Sequence, residues 1–113
     1  MLSAIKEKIL PMFQFRVLIE HDEKYKAWVA YCLETGSVTT ADDADTVESE
    51  IIELLEDESS YAIQRKNLAN LFNSPAPFEK WEAWQVGIPH IKKQIEDGRH
   101  KLLGILYIRK AKS

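Results

Sequence analysis

Cysteine is almost absent from this chain. Cys32 is the single cysteine among 113 residues, so the chain cannot form an internal disulfide. Charges at Lys6, Glu7 and Lys8 interrupt the first ten residues, where a signal peptide would need an apolar core. These absences predict that the protein works in the reducing cytoplasm.

Long hydrophobic runs are also missing. No apolar segment approaches the roughly 20 residues that a helix needs to cross a bilayer. The chain has no repeat at solenoid spacing and no low-complexity linker, so a second independent domain is not expected. A chain of 113 residues can bury about two thirds of its unfolded surface, which predicts one compact domain over residues 1–113.

Residues that carry chemistry are few and scattered. His21, His90 and His100 lie far apart and lack the spacing of a metal site, so surface or capping roles are the better interpretation. Cys32 falls on an apolar strand face, where cysteine is usually a small buried hydrophobe and not a nucleophile. We therefore expect no enzyme activity, no catalytic or metal-binding residue and no cofactor.

Three carboxylates could in principle form the metal site of a nuclease. Glu20, Asp22 and Glu34 gather at the ends of a predicted hairpin. A metal-dependent nuclease needs clustered carboxylates that hold two divalent ions. None of the three sits in mid-strand opposite an acid on a helix, so solvated turns are the favoured interpretation and the nuclease is the lesser alternative.

Alternating residues predict a three-stranded antiparallel meander over 13–20, 25–32 and 37–40. In the first strand the apolar residues are two apart, but Leu18 interrupts the polar face and indicates that a helix or a neighbouring chain covers part of that side. Gly36 lies in the second turn and can take a positive φ.

An amphipathic helix follows the meander. Asp45 lies three residues before Glu48 and is expected to cap the helix. One apolar stripe is expected to face the sheet, and an acidic row to face water, with the helix resuming over 61–72. The stripe is Val47, Ile51, Leu54 and Leu55; the acidic row is Glu48, Glu50, Glu53, Glu56 and Asp57.

The second half is divided by proline and glycine. Residues 73–77 break the helix, and a short helix over 78–85 places Phe78, Trp81 and Trp84 at three-residue spacing. A further helix is expected from Pro89 to Gly98, with Ile91 and Ile95 facing inwards. The apolar run 102–108 is expected to be the last strand of the sheet. The whole is an α+β domain with a helical extension over about 60–100 and a last strand over about 101–109.

Three segments resemble the HicB-like antitoxins of bacterial toxin–antitoxin pairs. They are F-x-V-x-I-E ending at Glu20, W-V-A-Y-C-L-E-T-G-S-V-T from Trp28 to Thr39, and A-D-T-V-E-S-E-I from Ala44 to Ile51. The resemblance covers about residues 13–55. It implies a partial RNase H-like fold of three strands, a helix and a further strand. It also implies a partner, a small basic HicA-like ribonuclease whose RNA-binding surface and catalytic histidine the antitoxin covers.

Two groups of residues are candidates for contact with a partner. The acidic residues Glu50, Glu53, Glu56 and Asp57 suit a basic partner, an inference made from charge and not from the family's motif. The second group, Trp81 and Trp84, has two interpretations. The rings are either plain core, as aromatics at helical spacing usually are, or a hot spot for a partner or a second copy.

Charge and organisation leave two further questions open. The net charge is −3, and the basic residues are scattered apart from Lys92, Lys93 and the segment 99–112. Family members often carry a DNA-binding module after the core, but none is evident here, so DNA binding is a minority hypothesis. Edge strands favour a homo-oligomer, most simply a dimer. The alternative function is a stand-alone oligomeric interaction domain that keeps the fold without a toxin.

Overall fold

The computed structural model describes residues 13–96 and 103–112, which form an α+β fold around a five-stranded mixed sheet. The strand order is β3-β2-β1-β5-β4, so the first strand in the chain is the central one. The elements are β1 Phe13–Asp22, β2 Ala27–Cys32, β3 Val38–Ala41, α1 Ala44–Arg65, α2 Leu68–Leu71, α3 Phe78–Gln85, β4 Ile88–Ile95 and β5 Gly104–Lys110.

The central strand β1 holds the two halves of the sheet together. It pairs antiparallel with β2 and parallel with β5, so that Val17 lies between Cys32 and Ile108. Its apolar residues Phe13, Phe15, Val17 and Ile19 are buried beneath α1 together with the inner residues of β2 and β5. Because β1 has a neighbour on each edge, its backbone groups pair with β2 and β5 and not with water.

The predicted meander is confirmed. Strands β1, β2 and β3 pair in sequence, with Ala30 opposite both Ile19 and Thr39. The second strand begins at Ala27, two residues later than predicted, because the preceding residues form the turn. In that turn Asp22 accepts hydrogen bonds from the backbone of Lys24 and Tyr25, at 3.0 and 3.2 Å.

Gly36 takes the positive φ that its position predicts, at 76°. A β-carbon built there would lie 1.9 Å from the carbonyl oxygen of Ser74. The backbone of Ala76 donates to the carbonyl of Leu33 at 2.9 Å, which fastens the proline-rich segment onto this turn. Any larger residue at position 36 would therefore push apart the second turn and the segment that leads into α3.

The predicted amphipathic helix is present, but its cap was placed wrongly. The helix begins at Ala44, and the capping residue is Asp43, whose carboxylate accepts from the Thr46 backbone at 2.7 Å and from its hydroxyl at 2.9 Å. Asp45, the predicted cap, lies inside the first turn. Asp45 fits the capping-box spacing because Glu48 lies three residues after it, whereas Asp43 is followed at that distance by Thr46. The extended backbone of Asp43 nevertheless makes it the capping residue.

Helix α1 also continues without the interruption expected near its acidic middle. It ends at Arg65 and is capped by Lys66, which has a left-handed backbone with φ 54°. The predicted continuation over 61–72 is therefore wrong after Arg65, and Leu68–Leu71 form the separate short helix α2. The small residues Ser59 and Ala62 extend the buried stripe of the helix by almost two turns. The acidic residues 56–58 therefore lie inside the helix and not at its carboxyl end, where Arg65 supplies the basic side chain that the helix dipole favours.

Leu18 is covered as its position predicted. Its side chain is fully buried on the face of the sheet opposite α1, and α3 packs against β1 on that face. Helix α3 spans the predicted residues Phe78–Gln85. The sheet is therefore covered on both faces at its centre, by α1 on one and by α3 on the other.

The helix predicted from Pro89 to Gly98 is wrong over its described residues. Residues Ile88–Ile95 form β4, which pairs antiparallel with β5 at the edge of the sheet. A bulge at His90 adds a residue between Pro89 and Ile91, so that Ile88 lies on the same face of the strand as Ile91 and Ile95. The spacings of three and four residues between these isoleucines also fit a helix. Pro89 is tolerated because β4 has a neighbour on one side only.

The predicted last strand is confirmed as β5, which runs beside β1. Gly104 is required where the two strands meet, because a β-carbon there would lie 2.8 Å from the carbonyl oxygen of Phe13. The start predicted for this strand, Leu102, lies outside the described residues. No helix in the described part of the chain is long and apolar enough to cross a membrane.

Replacement of Leu55 by alanine tests the contact between α1 and the sheet. The side chain is fully buried in the main core, so the change should lower the free energy of unfolding by about 2–5 kcal/mol. Leu68→Ala, which truncates an exposed leucine, is the matched control and should cost about 0.5 kcal/mol or less. Urea titration followed by circular dichroism measures both; equal losses would contradict this packing.

Replacement of Asp43 tests the position of the cap. Asp43→Ala should lower the melting temperature at neutral pH, whereas Asp45→Ala should change it less, because only Asp43 accepts the amide of the first turn.

The same cap predicts a pH dependence. Hydrogen bonds from Thr46 hold the pKa of Asp43 below its ordinary value. The stabilisation is therefore present above the pKa of the unfolded chain, about 3.9, and is lost as the pH falls through the lower folded value. Asp43→Asn keeps an acceptor that does not titrate, so its melting temperature should fall less than that of the wild type on acidification. An identical acid dependence would exclude Asp43 as the cap.

Candidate protein-binding surfaces

The acidic row on α1 is divided by the structure. Glu50, Glu53 and Asp57 are exposed, whereas Glu56 is half-buried. The three exposed carboxylates, called here the acidic ridge, are separated by three and four residues and so lie along one side of the helix, over about 10 Å. They form no ion pair with any residue that the structure describes. Their charge is therefore available to a partner.

The two tryptophans of α3 lie on the other face of the sheet. Trp84 is only 8% exposed and packs with Leu33 and Ala76, while Trp81 is half-buried and donates its indole N–H to the carbonyl of Ala76 at 3.1 Å. Both rings are thus part of a second, smaller core. This placement favours the core interpretation over an exposed hot spot.

Phe78 does not share the position of the two tryptophans and is 75% exposed. Two steps of three residues turn a helix by about 600°, which leaves Phe78 about 120° away from Trp84. A three-residue spacing therefore keeps neighbours together but does not keep three rings on one face.

The acidic ridge and the tryptophans do not form one site. Helix α1 covers the face that presents Phe15 and Val17, and α3 covers the face that presents Leu18. The two groups of candidate residues are separated by the thickness of the sheet. Any partner that contacts the acidic ridge meets a surface without the tryptophans.

The three carboxylates of the nuclease alternative have separate interactions. Glu20 accepts from the ammonium of Lys80, Asp22 caps the first turn, and Glu34 accepts from the backbone of Arg16 at 2.7 Å. Within residues 13–96 and 103–112, no three histidine, cysteine or acidic side chains lie close enough together to hold a metal ion. The geometry of these residues is that of turns and strand ends.

Glu34 and Cys32 are the most enclosed titratable groups near the second turn. Burial raises the pKa of the Glu34 carboxyl from its ordinary value, although the backbone N–H and the guanidinium of Arg16 act against this rise. Burial also raises the pKa of the Cys32 thiol, to about 11. A thiol with such a pKa is almost entirely protonated at neutral pH, as expected for a core residue.

The histidines are engaged on the surface. His21 contacts Glu23 at 2.9 Å and the edge of the Trp28 ring, while His90 contacts Glu48 of α1 at 2.8 Å. His100 lies outside the described residues. The pair formed by His90 joins the bulge of β4 to the first turns of α1, a contact between elements that sequence spacing did not reveal.

Sequence reasoning missed a row of cations against aromatic rings on the face covered by α3. Each of four basic side chains lies over one ring, at distances typical of cation–π contacts. The pairs and their distances to the ring centroids are Arg16 with Trp81 at 5.3 Å, Lys80 with Tyr31 at 4.4 Å, Arg109 with Trp84 at 4.4 Å, and Lys92 with Tyr107 at 5.5 Å. The available signal was the alternation of Tyr107 and Arg109 with apolar residues in β5.

Lys80 is held most firmly in this row. It pairs with Glu20 as well as with the Tyr31 ring. Burial acts to lower the pKa of Lys80, but the Glu20 carboxylate and the Tyr31 hydroxyl together outweigh burial, and the pKa is raised overall. The same neighbourhood raises the pKa of Tyr31, because burial of its hydroxyl outweighs the nearby ammonium. At this end of the row the positive charge of Lys80 is therefore neutralised by Glu20.

A cavity of about 340 Å³ lies at the other end of the row, between α3 and β4. We call it the β4 groove; its lining includes Arg16, Trp84, His90, Lys92, Tyr107 and Arg109. No acidic side chain is part of this lining. The groove is consequently a local concentration of positive charge on a chain whose net charge is −3.

The described chain is thus an α+β domain with an acidic helix on one face of its sheet and a cationic, aromatic groove on the other. Comparison with protein-family models, with curated proteins and with solved structures gave no match.

The enclosure of Cys32 gives a simple chemical test. With a pKa of about 11, roughly a thousandth of the thiol is ionised at pH 8, and the side chain is fully buried. Reaction with Ellman's reagent should be more than about a hundredfold slower in the native protein than in guanidinium, where the thiol has an ordinary pKa near 8.5. Equal rates would show that Cys32 is accessible and reopen its interpretation as a reactive group.

Proposed function

We propose that this protein is a non-enzymatic, cytoplasmic protein-binding domain of the HicB-like antitoxin type. In this proposal it neutralises a small basic HicA-like ribonuclease by covering the active surface of that enzyme. The acidic ridge on α1 is the observation that carries the proposal. The resemblance of residues 13–55 and the order of the strands give further support.

The topology is compatible with what the resemblance implies. Three antiparallel strands are followed by α1, and β5 then returns to lie parallel beside β1. The elements α3 and β4 are additions to this pattern, placed between the helix and the returning strand. They cover the opposite face and one edge of the sheet, and they leave the outer surface of α1 open.

The acidic ridge has the properties of a docking surface for a basic protein. Its carboxylates are exposed on a helix whose other side is fixed in the core by Val47, Ile51 and Leu55. A charged surface on a rigid element needs little rearrangement on binding. Complementary charge also speeds the encounter with a basic partner and disfavours wrong partners.

The alternative is a stand-alone oligomeric interaction domain, and the outer edge of β4 favours it. This strand has eight residues, and the exposed fractions of Ile88 and Ile91 are 56% and 37%. A long edge strand with exposed apolar side chains is a template for a second copy. Pro89 and the adjacent Lys92 and Lys93 act against such pairing, which is why we place this function second.

Reversal of two charges tests the acidic ridge. Glu50→Lys with Glu53→Lys should slow capture of the basic ribonuclease by about tenfold or more at low salt, because the attraction that guides the encounter is replaced by repulsion. Tagged protein is used to recover the partner from native lysate. The association rate of the purified pair and the inhibition of RNA cleavage are then measured.

Glu79→Lys with Glu82→Lys is the matched control. Both residues are exposed on α3, so the net charge changes by the same amount on the opposite face. If the α1 variant captured the ribonuclease as fast as the wild type, the acidic ridge would be solvated surface and not a binding site. Recovery of the protein alone, as an oligomer of defined mass, would replace the antitoxin proposal by the stand-alone domain.

A further inference from the structure

The β4 groove places a basic side chain on each side of the Tyr107 ring. The antitoxin proposal gives these residues no role. In the sheet, Tyr107 is paired with Arg16 of β1 on one side and with Lys92 of β4 on the other. Residues paired across neighbouring strands point to the same face, so the ring is flanked by two cations. The α-carbons of Arg16 and Lys92 are about 10 Å apart, across two strand spacings.

Arg109 supplies a third cation on the same face. It lies two residues beyond Tyr107 in β5, and its guanidinium donates to the carbonyl of Trp84 at 2.9 Å. The same guanidinium lies over the Trp84 ring. These two contacts fix the side chain in place, so little conformational entropy is lost when its other N–H groups bind a ligand.

The charge of the groove is only partly neutralised within the protein. Arg16 pairs with Glu34 at 3.4 Å, and His90 contacts Glu48. Lys92 and Arg109, in contrast, form no ion pair with any residue in the described ranges. Two cations without acidic partners beside a tyrosine ring define a site for an anion that also has a flat apolar part.

We propose that the β4 groove binds a nucleotide, either free or as a unit of a single-stranded nucleic acid. In this proposal the ammonium of Lys92 moves from its place over the Tyr107 ring to contact the phosphate together with Arg109, and the base stacks on the ring in its place. Arginine and lysine are the usual phosphate-binding side chains, and base–aromatic stacking is the usual source of sequence-tolerant affinity. A carboxylate ligand would use the cations but leave the ring without a role.

The size of the groove agrees with this ligand. Its volume of about 340 Å³ lies in the lower part of the range for small-molecule sites, about 300–1,000 Å³. The groove is separated from the acidic ridge by the sheet, and the ridge would repel a nucleic acid that approached from the α1 side. Nucleotide binding is therefore independent of the proposed antitoxin function, and either can fail without the other.

The test is titration of the full chain with fluorescein-labelled oligoadenylate RNA, followed by anisotropy at low and at physiological salt. Affinity should fall as salt rises, as counterion release requires. Lys92→Glu should weaken binding by about tenfold or more, because it replaces a positive charge that contacts phosphate by a negative charge. The Lys92 side chain is exposed, so the substitution should leave the fold unchanged.

Lys24→Glu is the matched control for Lys92→Glu. Lys24 is also an exposed lysine over a tyrosine ring, that of Tyr25 at 5.2 Å, but it lies in the first turn, away from the groove. The affinity of the Lys24→Glu variant for the RNA should equal that of the wild type. Tyr107→Leu, which keeps apolar packing but removes the flat ring, should weaken binding by about tenfold, with folding checked by circular dichroism.

Adenosine monophosphate distinguishes the two sources of the nucleotide. Displacement of the labelled RNA by this compound at comparable concentration assigns the site to free nucleotides, whereas failure to displace it assigns the site to single strands. Two results would overturn the proposal. One is equal affinity of the wild type and Lys92→Glu; the other is displacement by inorganic phosphate as effective as by the nucleotide.

A third result would give the groove a different occupant. If no RNA binds and Lys92→Glu lowers the mass of the protein in solution, the groove holds the acidic ridge of a second copy. That outcome also overturns nucleotide binding.

Discussion

The burial of β1 on both faces and both edges is the constraint on which the rest of the structure depends. Because Val17 and Leu18 point to opposite faces and both are fully buried, one helix cannot complete the fold. Helix α1 covers one face, and α3 with the segment fastened to Gly36 covers the other. The parallel pairing of β1 with β5 then requires the long connection that contains α1, α3 and β4.

Local signals were sufficient where each element carries its own start and end. The meander, the helix over Phe78–Gln85 and the last strand followed from alternation, proline and glycine. The helix cap was misplaced because Asp45 has the glutamate three residues later that a capping box requires, whereas the actual cap, Asp43, has Thr46 at that position. Leu18, in contrast, gave a correct prediction, because a single apolar residue on a polar face indicates that something covers that face.

Strand β4 and the groove beside it could not be predicted from local pattern. A bulge at His90 gives Ile88, Ile91 and Ile95 a helical spacing, and an exposed edge strand has no inner and outer face to produce alternation. The groove combines side chains from β1, α3, β4 and β5. The strand order brings these side chains together, and local sequence pattern does not show the strand order.

The separation of charge across the sheet connects the two proposals. The acidic ridge belongs to α1 on one face, and Lys92 and Arg109, which form no ion pair among the described residues, belong to the other. With a net charge of −3, the protein as a whole repels nucleic acid, so any nucleotide must be held by specific contacts in the groove. A basic protein is attracted to the whole molecule and most strongly to α1. If both proposals hold, the two surfaces select ligands of opposite charge, and the sheet between them would allow both to be occupied together.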